Sequence, residues 1–175
     1  MPKKSFPWID YVPATLSSLL FISQIIVGIY LLSYVTQIEI LAYVGIVLYV
    51  LSGIVFGMFP VVEFRRKGGV KKGTSYVQTT KLVDSGIYSI VRYPQYVTFI
   101  MWAIAGMLLF QHWIIIIVGI PIIPLTYFDL IRADKVLIEK FGEEYKAYMK
   151  RVPRANFILG IIRRLRYRTL LSNES

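Results

Sequence analysis

The chain has 175 residues, of which 56% are apolar, and its mean hydropathy is +0.59. Soluble domains sit nearer 45–50% apolar, and the excess here lies in long runs, which points to lipid rather than to a water-facing core. With no cysteine and one histidine, His112, the chain is denied disulfides, thiolate catalysis and Cys- or His-cluster metal sites, and the net charge of +10 is better read as basic flanks of membrane spans than as a nucleic-acid surface, since no aromatic-basic segment lies outside the apolar runs.

Residues 11–35 are uncharged and long enough to cross a hydrocarbon layer of ~30 Å at ~1.5 Å per residue. Trp8 and Tyr11 suit the interface before it. The run is too long for a signal peptide, and no small-residue cleavage site follows. Residues 38–62 hold one acid, Glu39, at the outer end and predict a second span, with Thr36 and Gln37 linking the two as a hairpin. Residues 65–73 are rich in Gly, Lys and Arg and read as the mobile loop of the chain. Residues 97–110 and 113–128 are apolar, and Gln111-His112 between them predicts a second hairpin whose return arm kinks at Pro121 and Pro124. Lys135 to Lys150 alternates apolar and charged residues as an amphipathic helix does. Residues 157–171 set Ile158, Leu159, Ile161, Ile162 and Leu165 beside Arg163, Arg164, Arg166 and Arg168, the composition of an interfacial helix on anionic lipid headgroups.

Charge sets the expected topology. Lys3 and Lys4 precede the first span, seven Lys/Arg lie from Arg65 to Arg92, and eleven lie from Arg132 onward; the hairpin turns have none. The positive-inside rule then places both termini and the basic loops in the cytoplasm. The expected fold is an all-α integral membrane protein, with about four transmembrane helices as two hairpins and cytoplasmic amphipathic C-terminal helices. It reads as one membrane domain: a first hairpin (1–64), a cytoplasmic loop with a ligand motif (65–95), a second hairpin (96–130) and a cytoplasmic or interfacial tail (131–175).

Two clusters carry the polar groups that chemistry would need. Residues 80–96 read Thr-Lys-Leu-Val-Asp-Ser-Gly-Ile-Tyr-Ser-Ile-Val-Arg-Tyr-Pro-Gln-Tyr. On spacing alone this is either a membrane-entry loop, with Arg92 on headgroups and its tyrosines in the aromatic belt, or a ligand site. After the second hairpin come Asp129, Arg132 and Asp134, then Phe141-Gly142-Glu143-Glu144-Tyr145 and Tyr148. Arg132 lies one helical turn from Asp129, which suits either a structural ion pair or a polar mouth above a lipid-facing cavity.

These two motifs, in this order and with an apolar hairpin between them, resemble the isoprenylcysteine carboxyl methyltransferase family and the related phospholipid N-methyltransferases over roughly residues 80–154. The resemblance implies an α-helical membrane enzyme that binds S-adenosylmethionine at the cytoplasmic end of its last spans and takes a lipophilic acceptor from the bilayer. By position, cofactor contacts fall on Thr80, Lys81, Leu82, Val83, Tyr88, Tyr93, Pro94, Gln95 and Tyr96. Tyr93 stands where the family usually has His. Where it usually has an Arg and, four and five residues later, two Glu, this chain has Asp129, Ala133 and Asp134. Asp134 is the one carboxylate kept, for a cofactor hydroxyl or ammonium, and Arg132 is the replacement cation one turn along. Arg92, Arg132 and Asp129 are the expected catalytic and acceptor-side groups. Alternatives are a phospholipid or small-amine N-methyltransferase, a non-catalytic relative that keeps the fold, and an NADPH-dependent membrane reductase. The expected setting is a prokaryotic cell membrane, or the endoplasmic reticulum in a eukaryote.

Overall fold

The computed structural model describes residues 12–34, 36–69 and 80–173. Trp8, Tyr11, residues 70–73 of the expected loop and the Arg168 side chain lie outside that set. Every regular element among the described residues is helical: α1 (Val12–Leu31), α2 (Glu39–Ser52), α3 (Phe59–Lys67), α4 (Pro94–Phe110), α5 (Trp113–Gly119), α6 (Ile122–Arg151) and α7 (Phe157–Asn173). A π-helical turn, Gly53–Met58, joins α2 to α3, and 3-10 turns occupy Leu32–Tyr34 and Gly86–Ser89. Three helical stretches are long and apolar enough to cross a membrane, Val12–Tyr34, Glu39–Lys67 and Trp113–Arg151, and Pro94–Phe110 is a shorter apolar helix. The chain is therefore a multi-pass, all-α membrane protein.

Two boundaries differ from the sequence reading. Arg65, Arg66 and Lys67 do not open a loop but close α3, because cations in a last turn complement the partial negative charge of its unpaired carbonyls. The return arm of the second hairpin breaks only once. α5 stops at Gly119 and α6 starts at Ile122, around Pro121, whereas Pro124 sits in the first turn of α6, where an N–H would have no helical partner to lose. The π-helical turn has a related cause: Pro60, just beyond it, offers no N–H and crowds the carbonyl four residues back, and a wider turn relieves both.

The chain forms two compact units, one of residues 1–50 and 99–131, the other of residues 51–98 and 132–175. In the first, α1 packs on α5. Buried Gln24 on α1 donates to the Ala103 carbonyl (3.0 Å). The two charge-free turns clasp each other through amides: Gln111 accepts from the Ile38 N–H (2.9 Å) and donates to its carbonyl (3.0 Å), and Gln37 donates to the Leu109 carbonyl (2.7 Å). This unit also holds an apolar cavity of about 200 Å³, whose walls include Phe21, Ile25, Ile46, Val50 and Trp102. In the second unit, Tyr145, Tyr148 and Val152 form a buried cluster against Leu82, Leu137, Ile138, Phe141 and Met149. Here α6 leaves helical geometry at Gly142 (φ 58°, ψ −130°), with Tyr145 and Tyr148 on the turns that follow.

Candidate functional site

The first motif is folded onto α3 and α6 within the second unit. Glu63 of α3 accepts from the Ile87 N–H (3.0 Å) and from Lys67 Nζ (2.7 Å), and Lys67 also donates to the Ser85 hydroxyl (2.9 Å). The 3-10 turn Gly86–Ser89 that this anchors buries Tyr88. Its ring lies 5.5 Å from that of Phe64, its hydroxyl donates to the Pro60 carbonyl (3.3 Å), and its own carbonyl accepts from the Tyr148 hydroxyl (2.6 Å). Two backbone hydrogen bonds then tie the first motif to the end of the second: Arg92 N–H to the Pro153 carbonyl (3.0 Å) and Tyr93 N–H to the Arg154 carbonyl (3.1 Å).

Asp134 is the hub. Its Oδ1 accepts from Arg92 Nη1 (2.6 Å), the Tyr145 hydroxyl (2.7 Å) and the Tyr93 hydroxyl (2.9 Å), and its Oδ2 from Arg154 Nε (2.5 Å). Only 3% of the carboxylate side chain and 5% of the Arg92 side chain reach the surface, so the pair is held where leaving either charge alone is costly. Burial above all, then the neighbouring Tyr145 hydroxyl and the Asp134 carboxylate, raises the Tyr93 phenol above its ordinary range. It remains a neutral donor at any working pH. Among the described residues, Arg92 Nε is buried without a hydrogen-bond partner.

Arg92 also lines a cavity of about 50 Å³, with Lys81, Leu82, Val83, Tyr88 and Tyr145 among its walls and Phe64 and Phe141 completing an aromatic side. The structure therefore gathers five of the expected site residues around one space: Lys81, Leu82, Val83, Tyr88 and Arg92. Tyr93 and Asp134 stand behind Arg92, each within hydrogen-bonding distance of the cluster it belongs to. Thr80 is turned to the chain end of α3, its N–H and hydroxyl meeting the Gly68 and Gly69 carbonyls. Pro94 opens α4; Gln95 and Tyr96 follow half-buried in its first turn, with the Tyr96 ring edge-on to Tyr93 at 5.8 Å. Arg132 is half-buried on α6 and is not among the cavity walls; Asp129 is buried and belongs to the first unit. Sequence reasoning did not pick Glu63, Phe64 or Arg154 for the site. It noted Phe141, Tyr145 and Tyr148 as a motif without giving them a place in it.

Residues 70–139 match the family described as isoprenylcysteine carboxyl methyltransferase (ICMT). Two curated relatives are similar over a comparable length. Both are named protein-S-isoprenylcysteine O-methyltransferase. The one from Schizosaccharomyces pombe is 32% identical over 73 residues, 41% of this chain and 31% of the relative. The one from Saccharomyces cerevisiae is 38% identical over 72 residues, 41% of this chain and 30% of the relative. The matched stretch thus spans under a third of either relative's length. No solved structure matches. The stretch from 70 to 139 carries all five of the expected residues that line the cavity, and over it this chain is similar to the isoprenylcysteine carboxyl methyltransferase family, the family its C-terminal motifs resemble.

Proposed function

We propose that the chain transfers a methyl group from S-adenosylmethionine to a lipophilic acceptor from the bilayer, with an isoprenylcysteine carboxylate as the first candidate. The observation that supports this most is the cavity of Lys81, Leu82, Val83, Tyr88 and Arg92, inside the family-matched stretch. The lining suits the cofactor chemically: aromatic faces at Phe64, Tyr88 and Phe141 can take an adenine ring or a sulfonium, and Arg92 is a cation among the walls for a carboxylate. In size the cavity holds a water or so, well short of the ~300 Å³ of a typical ligand pocket. Binding therefore requires the cavity to widen.

The bound sulfonium supplies the electrophilic methyl group, and displacement at it demands alignment more than a nucleophilic side chain. Arg92, fixed by Asp134 and Tyr145, is placed to orient an anionic group. Tyr88, fixed at its hydroxyl and its carbonyl, is a rigid wall. A carboxylate acceptor is already ionised at neutral pH and needs no base. Purified protein in lipid nanodiscs should bind S-adenosylmethionine or its demethylated product saturably and should label an isoprenylcysteine analogue with an isotopic methyl group. Absence of saturable binding at millimolar ligand overturns the reading. Label found instead in a lipid amine would move the acceptor class, and binding of a nicotinamide cofactor alone would favour a reductase.

The same reading puts both termini and the basic loops in the cytoplasm. The chain has no cysteine, so single cysteines report cleanly. Gln37 and Gln111 hold the clasp between the turns, so their neighbours Thr36 and Trp113 are the sites to use. Both should label from outside intact cells, and a cysteine at Lys71 should not. Outside labelling at Lys71 would refute the orientation.

A further inference from the structure

Helix α7 presents three distinct sides. Ile158, Ile161, Ile162 and Leu165 fall at i, i+3, i+4 and i+7, a single stripe, and they are 61%, 44%, 46% and 60% exposed. A second side grips the protein. Phe157 lies 5.3 Å from the Phe56 ring, Arg164 Nη1 donates to the Gly86 carbonyl (3.3 Å), and Gly160 sits so close to the Ile90 carbonyl that a Cβ there would overlap it. Arg163 and Arg166 are exposed on the third side. The helix contains no acid anywhere along its length.

We propose that this stripe docks on an anionic membrane surface and that docking steadies the Gly86–Ser89 turn carrying Tyr88. A row of branched aliphatic side chains this exposed requires an apolar cover. The flanking arginines select a cover that is anionic at its edge, which lipid headgroups over acyl chains provide. A second copy of α7 would bring like charges together. The spans of the same chain keep a bilayer within reach. The link to the turn is direct, because α7 touches its first residue through Arg164 and the residue just past its end through Gly160. The docking claim stands whether or not the cavity takes the cofactor.

The test uses the full chain in nanodiscs of phosphatidylcholine, with or without phosphatidylglycerol, and a polarity-sensitive fluorophore on a single cysteine. A label at Ile162 should be quenched by lipids carrying a nitroxide near the headgroup, more so in the anionic discs, and high salt should reverse the difference. A label at exposed Glu144 serves as the water-facing control. Arg163→Glu and Arg166→Glu should each lower the docked fraction, by roughly fivefold per arginine removed. Hydrogen exchange at the Ile87, Tyr88 and Ile90 amides should slow in the anionic discs, a readout that needs neither mutation nor cofactor. Quenching at Ile162 no greater than at Glu144, or the same in both lipids, overturns the docking. Docking with unchanged exchange at the turn overturns the coupling.

Discussion

Asp134→Ala is expected to dismantle the C-terminal site, at a cost of about 3–5 kcal/mol, rather than to trim one ligand contact. The carboxylate accepts from two guanidinium groups and two phenols. Its removal leaves the buried Arg92 charge with no carboxylate, only the Tyr145 hydroxyl at 3.4 Å, and leaves the Tyr93 hydroxyl with that of Tyr145 at 2.8 Å. Against a total stability that is typically ~5–15 kcal/mol, such a loss should lower the thermal midpoint by on the order of 10 °C. Tyr93→Phe deletes one neutral donor and leaves both ion pairs, so it should cost about 1 kcal/mol. Thermal unfolding in nanodiscs, followed by S-adenosylmethionine titration well below the midpoint, separates two roles. If Asp134 positions Arg92, midpoint and affinity fall together. If it touches the cofactor alone, affinity falls while the midpoint holds, and an unchanged midpoint would sink the positioning role.

The spans were legible because lipid forces a visible pattern: an uncharged run has to be long, and a turn has to be polar. The amide clasp between the turns was not, although Gln37 and Gln111 were both in view as turn residues, because a two-way amide bond leaves no local signature. The site was legible only in halves. Each motif showed where its tyrosines and Arg92 are, but the joint between them, Arg92 and Tyr93 against Pro153 and Arg154, crosses some sixty positions of chain and obeys no period. Asp129 with Arg132 caught attention through helical spacing. Asp134 has Leu130, Ile131, Leu137 and Ile138 at its own helical neighbours, so nothing local hinted that two arginines converge on it from other segments. Arg154 was hidden among eleven cations from Arg132 onward, and Glu63 lies one residue past the span read as ending at residue 62. Tyr93, which departs from the family's usual histidine, makes sense afterwards: its phenol donates to Asp134 from the first residue before α4.

Gly86→Ala is expected to cost about 2–5 kcal/mol, from two sources that a double-variant cycle can separate. Gly86 has φ +59°, a conformation that costs a residue with a side chain roughly 1–2 kcal/mol. The second source is a collision. A Cβ at this position would fall on the Glu63 carboxylate, the group that accepts from the Ile87 N–H and from Lys67. Pushing that carboxylate aside leaves a half-buried amide without its acceptor, at about 1–3 kcal/mol. The turn that positions Tyr88 against Phe64 and the cavity should loosen, and cofactor affinity should drop by roughly tenfold or more at ~1.4 kcal/mol per decade. Glu63→Ala alone should destabilise less, since it loses the anchor but strains nothing. In the double variant the collision has no partner, so only the backbone cost remains to be added to that of Glu63→Ala. The two single changes should therefore sum to more than the pair by over 0.5 kcal/mol, the scale on which neighbours depart from additivity. Thermal unfolding of the four proteins in nanodiscs measures the cycle. Strict additivity would mean that Gly86 is required for its backbone angle alone, and that Glu63 does not hold the turn from beneath.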